Sequence, residues 1–168
     1  DQIGGGADPT FFLNQRLVQT AAERRYFANH HIFAHPINLT IINEYYKKII
    51  VHTREPRQAT LSNLHNILRN QKTEPILNKV FFLPEDFFTW TFSKQLDYQI
   101  ENHMPHVISW IEGWLKAEQA EGFTPRILFT SFEEFIKDKP GYFYNILDFY
   151  GIDRTLFKYN VEKVPEKD

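Results

Sequence analysis

The sequence contains no cysteine. A disulfide scaffold, cysteine-ligated zinc and thiol catalysis are thereby excluded. The same absence fits a reducing cytoplasm, the compartment expected for this chain. No apolar run approaches the ~18 residues of a membrane-crossing helix, so no span is expected. The start lacks both the basic region and the apolar core of a secretory signal. Positive charge is not in excess: 19 Lys and Arg stand against 21 Asp and Glu, for a net charge of −2. That balance argues against a nucleic-acid partner. Aromatic residues are plentiful instead, with 16 Phe, 8 Tyr and 3 Trp in 168 residues. They supply large apolar side chains for the core of one domain, expected over residues 1–168. The chain starts at Asp1 without an initiator methionine, as expected of a processed form or of a piece of something longer.

The most informative stretch is KIIVHTREPRQATLSNLHNIL, Lys48 to Leu68. Ile49, Ile50 and Val51 form a β-branched run that predicts a buried strand. Arg54 and Pro56 follow, and then Leu61, Leu64 and Leu68 at helical spacing. Proline suits a first helical position, where its missing N–H would have had no partner. The order strand, turn, helix places a guanidinium at a junction where ligands and anions gather in parallel α/β sheets. Arg54 is therefore a candidate phosphate or sulfate contact; the competing reading is an ordinary surface arginine.

Elsewhere the pattern predicts a mostly helical chain with further strands. Residues 1–9 are glycine-rich and polar and read as a flexible leading segment. A helix is expected from Thr10, as N-cap, to about Arg24, and a strand over Tyr26 to His30. A second helix is expected from about Asn38 to Tyr46, and a third from Pro56 to near Asn70. The run FFLPEDFFTWTF reads as a packed lid or a pair of short helical turns. From Ser93 to about Glu121 a long helix is expected, with Leu96, Ile100, Val107, Ile108, Ile111 and Leu115 inward, interrupted at Pro105 and closed by Gly122. Arg126 to Thr130, RILFT, predicts another buried strand. Helical segments follow through Tyr150, closed by Gly151, and 153–168 forms a tail. The sequence has no GxxxxGK[ST] and no clear Mg²⁺ ligand set, which argues against an unrelated P-loop nucleotide enzyme.

Two blocks carry a resemblance to a family. Arg54-Glu55-Pro56-Arg57 with Ser62 eight residues after the arginine resembles the 3′-phosphate region of sulfotransferases that use 3′-phosphoadenosine-5′-phosphosulfate, PAPS. The apolar strand followed by FEEF and then DFYGI resembles a later block of the same family, in the same order. The resemblance spans roughly His30 to Ile152. It implies an α/β fold: a three-layer, P-loop-like, mainly parallel sheet flanked by helices. It also implies sulfuryl transfer from PAPS, without a metal, to the hydroxyl of a small-molecule or carbohydrate acceptor. Lipid and peptide tyrosine acceptors stay open, and the oligomeric state is not legible.

The resemblance further implies site residues. Arg54 and Ser62 would hold the 3′-phosphate, and Phe132 stands where many members place a tyrosine on the adenine; ordinary core is its other reading. A histidine after an early strand would take the proton of the acceptor hydroxyl, a role suited to an imidazole. His31, 23 residues before Arg54, is the first candidate, His30 the second and His35 the third. A structural histidine, or a metal pair from His31 and His35 at i, i+4 spacing, are the alternatives. Glu133 reads as a charge at a helix N-terminus. Arg57 is either a second positive charge near the phosphate or solvated. Trp90, Trp110 and Trp114 are expected to fill the core or the lid.

The family pattern is incomplete. No loop resembling Pro-Lys-Ser-Gly-Thr-Thr occurs, and no Arg-Lys-Gly follows near the end; Gly4-Gly5-Gly6 carries no lysine. The expectation is an incomplete sulfotransferase domain, with the lysine loop upstream. The alternative is an inactive nucleotide-binding or interaction module on the same fold.

Overall fold

The computed structural model describes residues 12–24, 32–71 and 83–156. The elements run α1 Gln15–Glu23, α2 Pro36–Tyr45, β1 Lys48–Thr53, α3 Pro56–Asn70, a 3₁₀ turn Phe87–Thr89, α4 Phe92–Asn102, α5 Met104–Glu118, β2 Arg126–Ser131, α6 Phe132–Lys137 and α7 Lys139–Tyr150, followed by a 3₁₀ turn Arg154–Leu156. Helices and strands are thus mixed, and among the described residues the strands form one small parallel sheet. The strand expected over Tyr26 to His30 lies outside the described residues.

β1 and β2 pair in parallel, with Lys48 opposite Arg126 and Thr53 opposite Ser131. Alternation sends odd-numbered residues to one face. Ile49, Val51, Ile127 and Phe129 join a core with Leu13, Val18, Ile41, Ile42, Trp114 and Ala117. That core holds α1, α2 and α5 together with the sheet. Even-numbered residues face α7, where Thr130 meets Tyr142. A second core under α3 and α4 is built from Leu64, Ile67 and Phe87, with Trp90, Leu96 and Tyr98 against it. Phe87 and Leu64 have no exposed surface, so the aromatic run is packed around Phe87, whereas Phe92 at its end is exposed.

Several boundaries differ from the sequence reading. α1 starts at Gln15 and not at Thr10, because Asn14 caps it by accepting the N–H of Leu17. Leu13 stays out of the helix: its N–H donates to Asn38 Oδ1 at 2.8 Å, tying it to α2. α2 starts two residues early, at Pro36, under His35. The long helix is two helices broken at His103, and Pro105 sits in the first turn of the second, where it displaces no hydrogen bond. α5 ends at Glu118, and Gly122 serves the following turn with φ +82°.

The inward face of α4 and α5 also differs. Ile100, Ile108 and Leu115 are exposed, whereas Gln95, Gln99, Trp114 and Ala117 are buried. The glutamines are tolerated because each finds a partner. Gln95 Nε2 donates to the Phe87 carbonyl at 2.9 Å, and Gln99 Oε1 accepts from Asn63 Nδ2 at 3.0 Å. Among the described residues, no helix is long and apolar enough to cross a membrane.

Candidate functional site

Both strands end level, and each hands its chain directly to a helix. After Thr53 the sequence Arg54-Glu55-Pro56 turns into α3, as Pro56 predicts. Glu55 caps α3 through its carboxylate, which accepts from Gln58 N–H at 3.0 Å and from Arg57 Nε at 2.7 Å. The Arg57 hydrogen bond, foremost, holds the Glu55 carboxyl below its usual range. Arg57 is therefore a solvated partner of Glu55, the second of its two expected readings.

After Ser131 there is no loop at all: α6 starts at Phe132. Ser131 and Glu134 form a reciprocal capping box, with Glu134 N–H on Ser131 Oγ at 3.1 Å and Ser131 N–H on the Glu134 carboxylate at 2.8 Å. Glu133 reaches across, and its carboxylate accepts the Glu55 N–H at 3.3 Å. This first-turn charge clasps the two helix starts to each other.

Arg54 sits between these starts. Its Cζ lies over the Phe132 ring, 4.4 Å from the centroid, a close cation–π contact. The side chain is half-buried, and its Nε is buried with no hydrogen-bond partner among the described residues. Nor does any ion pair among the described residues include Arg54. A buried, unsatisfied donor on a permanent cation is costly and favours the arrival of an anion.

The structure therefore brings Arg54 and Phe132 into contact. Ser62 is half-buried on α3, on the helix that Arg54 leads into. His30 and His31 lie outside the described residues. His35 is engaged locally, since its Nδ1 accepts the Ile37 N–H at 3.4 Å and its ring stands edge-on to Phe12. Among the described residues, no three His, Asp or Glu side chains are grouped to hold a metal.

Sequence reasoning passed over a second cluster one strand pair back. His52 Nδ1 lies 3.0 Å from Thr130 Oγ1 and 3.0 Å from Tyr142 Oη, and the two hydroxyls are 3.3 Å apart. This triangle joins β1, β2 and α7. Burial pushes the His52 pKa below its ordinary value, while Glu133 and Glu134 pull it partly back. A neutral ring accepts a hydroxyl proton at Nδ1 when that nitrogen is bare. The available signal was parity: His52 and Thr130 are polar residues at paired even positions of apolar strands.

A family model for the sulfotransferase domain matches residues 12–166 of the chain. Neither the curated proteins nor the solved structures contain a match.

Proposed function

Because the chain belongs to the sulfotransferase-domain family, we propose that it serves transfer of a sulfuryl group from PAPS to the hydroxyl of a small-molecule or carbohydrate acceptor. In this reading Arg54 and Ser62 hold the 3′-phosphate of the donor, with Phe132 beside them. His31 takes the proton of the acceptor hydroxyl as its oxygen bonds to sulfur and the bond from sulfur to the 5′-phosphate oxygen breaks. Adenosine 3′,5′-bisphosphate leaves. Such a transfer depends on positioning and on stabilising charge at the moving oxygens. Family membership also supports a single three-layer α/β domain in which β1 and β2 belong to a larger, mainly parallel sheet.

The observation that carries the reading is the state of Arg54. A guanidinium held on an aromatic face at the carboxyl end of parallel strands, with a buried N–H left unsatisfied, is suited to a multiply charged anion. The sequence contains no lysine-bearing 5′-phosphosulfate loop. A second reading is a nucleotide-binding or interaction module without turnover on the same fold, and an assay of the complete protein separates the two.

Calorimetry with adenosine 3′,5′-bisphosphate tests the site. Arg54→Ala is expected to weaken binding by roughly 1.5–3 kcal/mol, the scale of hydrogen bonds to a charged group. Unchanged affinity removes the phosphate role. In the complete protein, His31→Ala is expected to abolish turnover and keep donor binding; loss of both marks His31 as structural.

A further inference from the structure

The contact between Arg54 and Phe132 bears on what the aromatic ring does. One face of Phe132 is already covered by the guanidinium at 4.4 Å. An adenine stacked on that face would have to displace a cation whose Nε is buried. The ring is itself tightly located. It belongs to the first residue of α6, whose backbone is set by the Ser131–Glu134 capping box. Behind it runs a series of rings: Phe132 to Phe135 at 6.3 Å, Phe135 to Tyr142 at 5.4 Å, and Tyr142 to His52 at 5.8 Å. His52 lies on β1, the strand that delivers Arg54. The series thus runs from α6 through α7 to β1, the strand whose end carries Arg54.

We propose that Phe132 is a positioning residue for Arg54: its ring holds the guanidinium in place for the 3′-phosphate and does not stack on the base. This rests on the reading of Arg54 as the 3′-phosphate contact. The ring covers a face of the guanidinium, so an anion that satisfies the Nε–H approaches in the guanidinium plane and leaves the ring contact intact. An arginine without the ring has a long, rotamer-rich side chain to immobilise when the phosphate binds. Phe132 contributes by removing that freedom beforehand, so its effect falls on the phosphate increment alone.

Paired ligands separate the two roles of the ring. Adenosine 3′,5′-bisphosphate and adenosine 5′-monophosphate share the base and differ in the 3′-phosphate. For Phe132→Leu, affinity for the bisphosphate is expected to fall about five- to tenfold, the scale of ordering one long side chain, with the monophosphate within about twofold. Phe132→Tyr, which keeps the ring, is expected to restore the bisphosphate affinity. An equal loss for both ligands, or no loss for either, overturns the proposal; the former makes the ring a base platform. Should the leucine variant fail to fold by circular dichroism, Phe132→Met is read in the same way. Arg54→Ala in the same titrations guards the premise. If it leaves the ratio of the two affinities unchanged, the 3′-phosphate reading has failed, whatever Phe132 does.

Discussion

The two ends of the β1–β2 ladder both set cations against a phenylalanine, yet they treat the charge differently. At the leading end, Lys48 and Arg126 are cross-strand partners and both approach the Phe149 ring, at 5.7 and 5.5 Å. Like charges placed opposite each other repel, and the fold answers with an acceptor. Lys48 Nζ donates to the Phe149 carbonyl at 2.7 Å, near the C-terminus of α7, where the helix dipole favours a cation. Arg126 stays in solvent. At the trailing end, Arg54 has its ring but neither carbonyl nor carboxylate for its buried Nε among the described residues. A cation over a ring is therefore no functional signature in itself. What distinguishes a strut from a binding group is whether the donor already has its acceptor.

The sharpest contrast is expected between arginines. Arg54→Ala should lose roughly 1.5–3 kcal/mol of nucleotide affinity, whereas Arg126→Ala should change it by less than about 0.5 kcal/mol. Equal losses would break the comparison, since the leading end would then also face the ligand. Next in size, Lys48→Met should cost about 1.5 kcal/mol of stability in urea titration while nucleotide affinity stays within about twofold. Lost affinity at unchanged stability would reverse its role. The smallest effect concerns pH. Burial holds the His52 pKa below its ordinary 6.5, so the unfolded chain takes up this proton at higher pH than the folded one. The stabilising contribution is full above about pH 6.5 and is lost as pH falls through the folded pKa. His52→Gln should flatten the fall of melting temperature between about pH 7 and pH 5; parallel curves for the two proteins would remove the linkage.

The junctions were legible because local chemistry decides them. The Ile-Ile-Val run, proline after Arg54-Glu55, and glycine at 151 each act within a few residues. Gly151 adopts φ +72° at the end of α7, where a Cβ would be strained. The middle of the chain was less legible because distant partners decide it. Gln95 and Gln99 are buried only because Phe87 and Asn63 come to meet them. Apolar spacing therefore pointed to Ile100 and Ile108, which face outward. At the site, Arg54 could be read from the turn that follows it, but not its seat on Phe132, which needs the two strands in register. His52 was hidden among apolar neighbours for the same reason. The expected base, His31, lies outside the described residues, and its role is a proposal resting on family membership.

Two indole N–H groups converge on one backbone oxygen: Trp110 and Trp114 both donate to the Ile32 carbonyl, at 2.7 and 3.0 Å. Ile32 is bonded directly to His31. The chain thus carries a built-in optical probe one peptide away from the proposed base. Emission from these rings, which α5 holds in place, offers a label-free way to follow the Ile32 backbone when nucleotide is added.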